Sequence, residues 1–286
     1  MIKTIAVAGA GTMGSGIAFT AARSGFQVVL FDKSETVLEK AQKFFSENLD
    51  FLFQKQKITL QEKEKFPSTI KFTTDIQDCI CDLAIEAIIE SIPAKQELFA
   101  KLAALNGSGT ILASNTSSLS ITEIQSGLTA PGRVAGMHFF NPAHVMKLVE
   151  VVEGRDTDAG VAQILMETCI HMGKVPVLCK DSPGFIVNRV ARHYYLEAMR
   201  IAESGIATIE EIDAAMENAG FKMGPFRLMD LIGMDINLSV SESLYDAFEK
   251  EPRFEPNRLQ REKVAAGYLG RKTGKGFYDY PTKTGS

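Results

Sequence analysis

The chain has 286 residues, 45% hydrophobic and 23% charged, which at about 150 residues per domain predicts two domains with sizeable cores and excludes disordered and fibrous classes. With 31 basic against 35 acidic side chains the net charge is −4, so no nucleic-acid footprint is expected, and an anionic ligand must be held by local lysines or backbone N–H groups. No window approaches the ~18 unbroken apolar residues of a membrane span; Met1 runs straight into a strand-like segment, and the four scattered cysteines suit neither a disulfide scaffold nor a zinc site, so a reduced, cytoplasmic protein with no membrane partner is expected.

In chain order, Thr4 to Ala8 reads as a buried strand and Thr12 to Ser24 as a helix. Gln27 to Phe31 is a second strand, followed by an amphipathic helix from Ser34 to Phe53. Short apolar strands follow at 69–72, 83–87, 110–113, 133–138, 147–152 and 175–178, with helices at 93–105 and 158–172 among them. Such alternation implies βαβ units and a largely parallel sheet covered on both faces. Beyond Asp181-Ser182-Pro183-Gly184 the spacing turns helical, with Phe185, Val187, Val190, Tyr194, Ala198 and Ile201 recurring at three and four. Further helices are expected at 209–219, 235–248 and 257–266, with Gly220, Gly224, Gly233 and Gly267 as stops. A basic, glycine-rich loop, Gly270 to Gly276, precedes an aromatic Phe277-Tyr278-Asp279-Tyr280.

Gly9-Ala10-Gly11-Thr12-Met13-Gly14 fits G-x-G-x-x-G between a strand and a helix, the context in which the pattern binds a dinucleotide. Gly9 permits the tight turn, Gly11 admits a pyrophosphate to the backbone, and Gly14 lets helix and strand pack closely. Asp32 closes the second strand, placed to accept from a ribose diol and to repel a 2′-phosphate, which argues for NAD over NADP; Lys33 beside it argues the other way. The alternative is a glycine-rich turn that binds nothing. The fold class is therefore α/β: a Rossmann-type, mostly parallel sheet over residues 1–183 and a second, all-helical domain over 184–286. Lys40, Lys43, Lys55 and Lys57 cluster on or after the second helix, and Thr36 and Lys43 share one of its faces. They can hold phosphate or adenosine groups, but a solvated lysine face is the reading the residues alone favour.

His138 ends an apolar strand, where parallel sheets gather ligands. Twelve residues on, Glu150 interrupts another apolar strand, a costly place for a carboxylate unless it is paired. An imidazole is a natural partner: Glu150 would fix its tautomer and stabilise the imidazolium. A core histidine and an outward-facing glutamate are the equal alternative. His144 lies in the same loop, His171 ends a helix, and His193 sits in a helix among polar neighbours. The polar run Ser114-Asn115-Thr116-Ser117-Ser118 either binds a ligand or caps the next helix, and Asn188-Arg189 interrupts an apolar stretch near the expected domain cleft. No metal-ligand spacing is present.

Together these segments resemble the 3-hydroxyacyl-CoA dehydrogenase family, within it the short 3-hydroxybutyryl-CoA dehydrogenases. The match runs through Gly9 to Gly14, Ser114 to Leu119, His138-Phe139-Phe140-Asn141-Pro142, Met146 to Val152, Lys180 to Arg189, Gly224-Pro225-Phe226 and Lys272 to Tyr278, nearly the whole chain in family order. The resemblance implies hydride transfer between NAD(H) and C3 of a short-chain hydroxyacyl- or ketoacyl-CoA thioester, with His138 as general base, Glu150 orienting it, and Ser117 and Asn188 bonded to the reacting oxygen. It implies dinucleotide contacts from Asp32, Glu90, Lys95, Ser117, Asn141 and Lys272, and coenzyme A contacts from Thr36, where relatives carry serine, and Lys43. His193 stands where many relatives carry proline, a departure expected to alter the helix locally. A homodimer formed through the helical domain is implied as well. Two other readings stay open: a related NAD-dependent dehydrogenase of a free hydroxy acid, and a non-catalytic NAD-binding structural protein.

Overall fold

In the computed structural model, which describes residues 2–281, the chain divides into two compact units, residues 1–182 and 183–286. The first holds one eight-stranded sheet, built from β1 (Thr4–Ala8), β2 (Gln27–Phe31), β3 (Ile70–Thr73), β4 (Leu83–Glu86), β5 (Ile111–Ser114), β6 (Val134–Phe139), β7 (Leu148–Glu153) and β8 (Val175–Lys180). Its order is β3-β2-β1-β4-β5-β6-β7-β8. Helices α1 (Thr12–Arg23), α2 (Glu35–Gln54), α3 (Leu60–Lys65), α4 (Ile92–Leu105), α5 (Ile121–Ser126) and α6 (Ala159–His171) connect the strands. Strands β1, β2 and β4 are buried along nearly their whole length because helices cover them, so they read as continuous apolar runs rather than as alternating ones. Phe19 of α1 anchors the core, its ring 5.2 Å from Phe45 of α2 and 5.4 Å from Phe66.

The sheet departs from an all-parallel, doubly covered one in two places. β7 runs antiparallel to β6, since residues 140–147 join them without a helix, and a parallel return needs a crossover. β8, parallel to β7, is an edge strand with Val175, Val177 and Leu178 exposed, and Pro176 suits the edge because it cannot donate to a ladder.

In the second unit α7 (Val187–Glu203), α8 (Ile209–Asn218), α9 (Pro225–Ile232), α10 (Met234–Ala247) and α11 (Arg258–Ala265) pack around Leu196, Met199, Phe226, Met229 and Met234. Gly220 and Gly267, with φ of +103° and +72°, end α8 and α11. Gly224 does not act as a stop. It is the N-cap of α9, with Pro225 at the first helical position, where a missing N–H costs nothing. Gly233 likewise both closes α9 and opens α10. Helices α3 and α5 are short: α3 buries none of its residues and α5 buries only Ile121, Ile124 and Gln125, while Thr59 with Glu62 forms a capping box on α3 and Ser120 accepts from the Glu123 N–H at the start of α5.

Candidate active site

The chain turns at Gly9 with φ +101°. A Cβ there would lie 2.5 Å from the Ala87 carbonyl oxygen, and one on Gly14 would lie 1.7 Å from the Gly9 oxygen, so both positions require glycine. Gly11 differs: nothing stands within 4 Å of where its Cβ would be, and no side chain caps the first turn of α1. The uncapped N–H groups of that turn are thus open to an anion. Asp32 braces the turn, its Oδ2 accepting from the Ala10 N–H at 2.8 Å and its Oδ1 from the Ser34 N–H at 2.9 Å. Beside it lies a cavity of about 750 Å³ lined by Gly9, Gly11, Asp32, Lys33, Ile88 and Lys101. It flanks the carboxyl ends of β1 and β4, where the strand order reverses, the usual ligand crevice of an open parallel sheet. Open backbone donors for a pyrophosphate and a fixed carboxylate for a ribose diol fit a dinucleotide.

At the end of β4, Glu86 is fully buried. Its Oε1 accepts from Lys95 Nζ at 2.6 Å and from the Ile88 N–H at 2.7 Å, and its Oε2 accepts from Ser114 Oγ at 2.7 Å. Lys95, itself only 1% exposed, reaches on to Glu90 Oε2 at 3.1 Å. Glu90 Oε1 accepts from Thr116 Oγ1, from the Ser117 N–H at 3.2 Å and from Ser118 Oγ at 3.3 Å. Burial by itself would raise the Glu90 carboxyl; the Lys95 ammonium and the bonds from Thr116 and Ser117 outweigh it and hold the group below the ordinary glutamate range. Lys95 is thus a buried member of an ion-pair chain, and Glu90 is the more exposed end of it. Glu86 escaped the sequence reading, although a carboxylate closing the apolar run Leu83-Ala84-Ile85 is the same signal that singled out Glu150.

His138 and Glu150 are directly opposed in the β6–β7 ladder, so both side chains leave the same face of the sheet. His138 Nδ1 lies 2.8 Å from Glu150 Oε2, with the two residues 6% and 1% exposed. A carboxylate only accepts, so Nδ1 is the donor in this pair. Asn115 fixes the neighbouring backbone, its Oδ1 accepting from the Phe139 N–H at 2.9 Å. The loop after β6, with a cis Asn141–Pro142 bond, exposes Asn141. Buried Lys174 donates to the Ala143 carbonyl at 2.5 Å and the Met146 carbonyl at 2.8 Å, tying that loop down. His144 belongs to the packing: it meets Phe19 and Phe44 edge-on, and burial, helped by Lys174 and Arg23, lowers its pKa. His171 Nε2 lies 3.0 Å from the Ser24 carbonyl oxygen, and the His193 ring lies against Phe254.

On α2, Thr36 and Lys43 are both exposed, and Lys43 stands 3.8 Å from Glu47. In the second unit Asn188 is half-buried in the first turn of α7. Lys272 pairs with Asp235 at 2.5 Å, and the glycine-rich loop around it is a clasp: Asp230 accepts from the Phe277 and Tyr278 N–H groups, and a Cβ on Gly276 would strike its carboxylate. Among the described residues no His, Cys, Asp and Glu cluster is arranged for a metal ion, and no helix is long and apolar enough to cross a membrane.

Residues 4–182 match the NAD binding domain of 3-hydroxyacyl-CoA dehydrogenase, and residues 184–280 match the C-terminal domain of the same enzyme. A 3-hydroxyadipyl-CoA dehydrogenase of Escherichia coli is 48% identical over 98% of this chain, which spans 59% of that protein's length. The mitochondrial hydroxyacyl-coenzyme A dehydrogenase of Rattus norvegicus is 43% identical over 98% of this chain and 92% of its own. Among solved structures, an (S)-3-hydroxybutyryl-CoA dehydrogenase from Ralstonia eutropha superposes with a TM-score of 0.94 at 40% identity, over 99% of this chain and 100% of that one.

Proposed function

The chain belongs to the 3-hydroxyacyl-CoA dehydrogenase family, with residues 4–182 as its NAD-binding domain, and from that membership we propose that it interconverts a short-chain 3-hydroxyacyl-CoA and the 3-ketoacyl-CoA. The observation that carries this reading is the His138–Glu150 pair, an imidazole oriented by a buried carboxylate at the head of the sheet. NAD, held by the Gly9–Gly14 turn and Asp32, supplies the site that accepts or gives the hydride. In the oxidative direction His138 Nε2 takes the proton of the 3-hydroxyl; in the reductive direction the imidazolium returns it to the ketone oxygen. Glu150 keeps the ring oriented and offsets its charge, which rises by one in the oxidative step. Ser117 and Asn188 hydrogen-bond the oxygen whose charge changes, so their bonds strengthen where they matter for rate.

Glu90, Asn141, Thr12, Met13 and Lys272 contribute to the dinucleotide site, with Lys95 acting there through Glu90. Thr36 and Lys43, on the solvent face of α2, hold the phosphates of coenzyme A, replacing the bulk positive charge that a −4 protein lacks. The protein works as a homodimer through its helical unit, where Val190 of α7, Leu231 of α9 and Ile236 of α10 are about half exposed or more, large apolar side chains on three helices that pack together. Four free cysteines suit a reducing, cytoplasmic setting.

The test is NADH oxidation with acetoacetyl-CoA, followed by a series of C4, C8 and C16 thioesters. Turnover that is greatest at C4 supports the proposal. Turnover of free hydroxy acids with none of the thioesters would overturn it, as would dinucleotide binding without turnover on either class.

A further inference from the structure

Glu86 takes no part in the chemistry proposed above, yet its carboxylate is fully buried at the carboxyl end of β4. A charge in that position is costly unless it is bonded on every side, and an apolar residue would close the strand more cheaply if packing were its whole purpose. Its bonds lead somewhere. Oε1 holds Lys95 at 2.6 Å and Oε2 holds Ser114 at 2.7 Å; Lys95 continues at 3.1 Å to Glu90, and Glu90 accepts from the Ser117 N–H at 3.2 Å. An unbroken run of charge-assisted bonds thus joins the end of β4 to the main chain of Ser117. We infer that Glu86 is a positioning residue for the reaction, holding Lys95 between two carboxylates so that Glu90 stays on the Ser117 main chain and toward the dinucleotide. This rests on the roles proposed for Ser117 and Glu90.

The distances explain why the second carboxylate is needed. Lys95 sits nearer Glu86 than Glu90, so its charge is mostly committed to Glu86. With Glu86 neutral, Lys95 swings to its remaining anion, draws Glu90 in, and breaks the long bond from the Ser117 N–H. A reacting-oxygen partner displaced in this way loses transition-state binding while thioester binding, which depends on groups on α2, is kept.

Glu86→Gln preserves the shape, removes the charge and exchanges one of the two acceptor oxygens for an NH2 donor. In a variant with a wild-type circular dichroism spectrum, kcat for acetoacetyl-CoA reduction falls about tenfold, KM for the thioester stays within about twofold, and NADH binds several-fold more weakly by fluorescence titration. Lys95→Met gives the same split, and the double variant is no worse than the poorer single one, because both act on one chain of bonds. Wild-type kcat and NADH affinity in folded Glu86→Gln, or losses that multiply in the double variant, would overturn the inference. Should Glu86→Gln not fold, Ser114→Ala removes one bond to the same carboxylate; a loss of about two- to threefold with the same split upholds it, and none overturns it. If the wild type itself does not turn over acetoacetyl-CoA, the function proposed above falls, and the NADH titrations decide this inference alone: weakened in both variants it stands, unchanged it fails.

Discussion

His138 and Glu150 illustrate what a single side chain can be made to do by its cross-strand neighbour. Because they are directly opposed in the ladder, the carboxylate meets Nδ1 without either residue needing an unusual backbone. General-base assistance is worth about 10²–10⁴-fold, so His138→Ala should lower kcat by about that factor while NADH affinity, set at the glycine turn, is kept. Glu150→Gln keeps the contact but no longer offsets the imidazolium, and its loss in kcat should be smaller. Undiminished turnover in His138→Ala removes the assignment. Glu90 gives a second prediction at this scale. Its carboxyl is depressed in the folded protein, so it contributes stability that is present above the unfolded glutamate pKa of about 4.5 and is lost as pH falls through the lower folded value. Glu90→Gln lacks that contribution, and its melting temperature should fall less than the wild type's on acidification from pH 7 to pH 4. A parallel fall in both would show that the depression does not reach stability. The His138–Glu150 pairing was half legible in the sequence: each residue stood out, but the register that joins them is set by the whole sheet. Lys95 was less legible, since a lysine on a helix reads as a solvated face until the fold buries it.

Elements show the complementary case, in which the same amino acid serves different ends within one turn. Gly14 is required by the backbone: a Cβ 1.7 Å from the Gly9 carbonyl oxygen forces apart β1 and α1. Gly14→Ala should lower the melting temperature by several degrees and NADH affinity by at least tenfold, with a stability cost above the ~1–3 kcal/mol of ordinary overpacking, because the atom struck is backbone. Gly11 has φ −64°, a value open to alanine, and free space around it. Gly11→Ala should therefore keep the melting temperature and still weaken NADH binding, as the methyl group occupies the ground a pyrophosphate needs. Thermal melts with NADH titrations separate the two outcomes, and a Gly11→Ala protein that binds NADH normally would mean that no phosphate approaches there. The covered strands of this unit, such as β1, β4, β5 and β6, were readable within a residue or two because doubly covered strands are unbroken apolar runs. The antiparallel β7 and the edge position of β8 were not, since direction and neighbours depend on connections rather than on composition. The short helices α3, α5 and α9 hid for a different reason: α3 buries none of its residues, and α5 and α9 each bury a single apolar pair three residues apart, Ile121 with Ile124 and Phe226 with Met229, too brief to stand out as a period.

For the molecule as a whole, the net charge of −4 and the exposed apolar side chains of the helical unit pull on association in opposite ways. Mild like-charge repulsion is screened within about 8–10 Å at physiological ionic strength, whereas apolar burial is not. Val190, Leu231 and Ile236 are 66%, 49% and 50% exposed on helices whose other faces form a core around Leu196, Phe226 and Met229. An amphipathic helix needs only one buried face to fold, so the apolar residues left on the outer faces are surplus to the monomer and available to a second copy. A stable interface takes about 800 Å² from each partner, more than any one of these side chains supplies, so several must act together and one charge among them should be disruptive. Ile236→Glu is therefore expected to leave the secondary structure intact, to shift sedimentation from the dimer proposed for the wild type to monomer, and to make the melting temperature independent of protein concentration, which in such a dimer it should not be. Sedimentation velocity over a hundredfold range of concentration decides it. A wild type that is monomeric throughout, or an Ile236→Glu variant as dimeric as its parent, would place the association elsewhere or remove it.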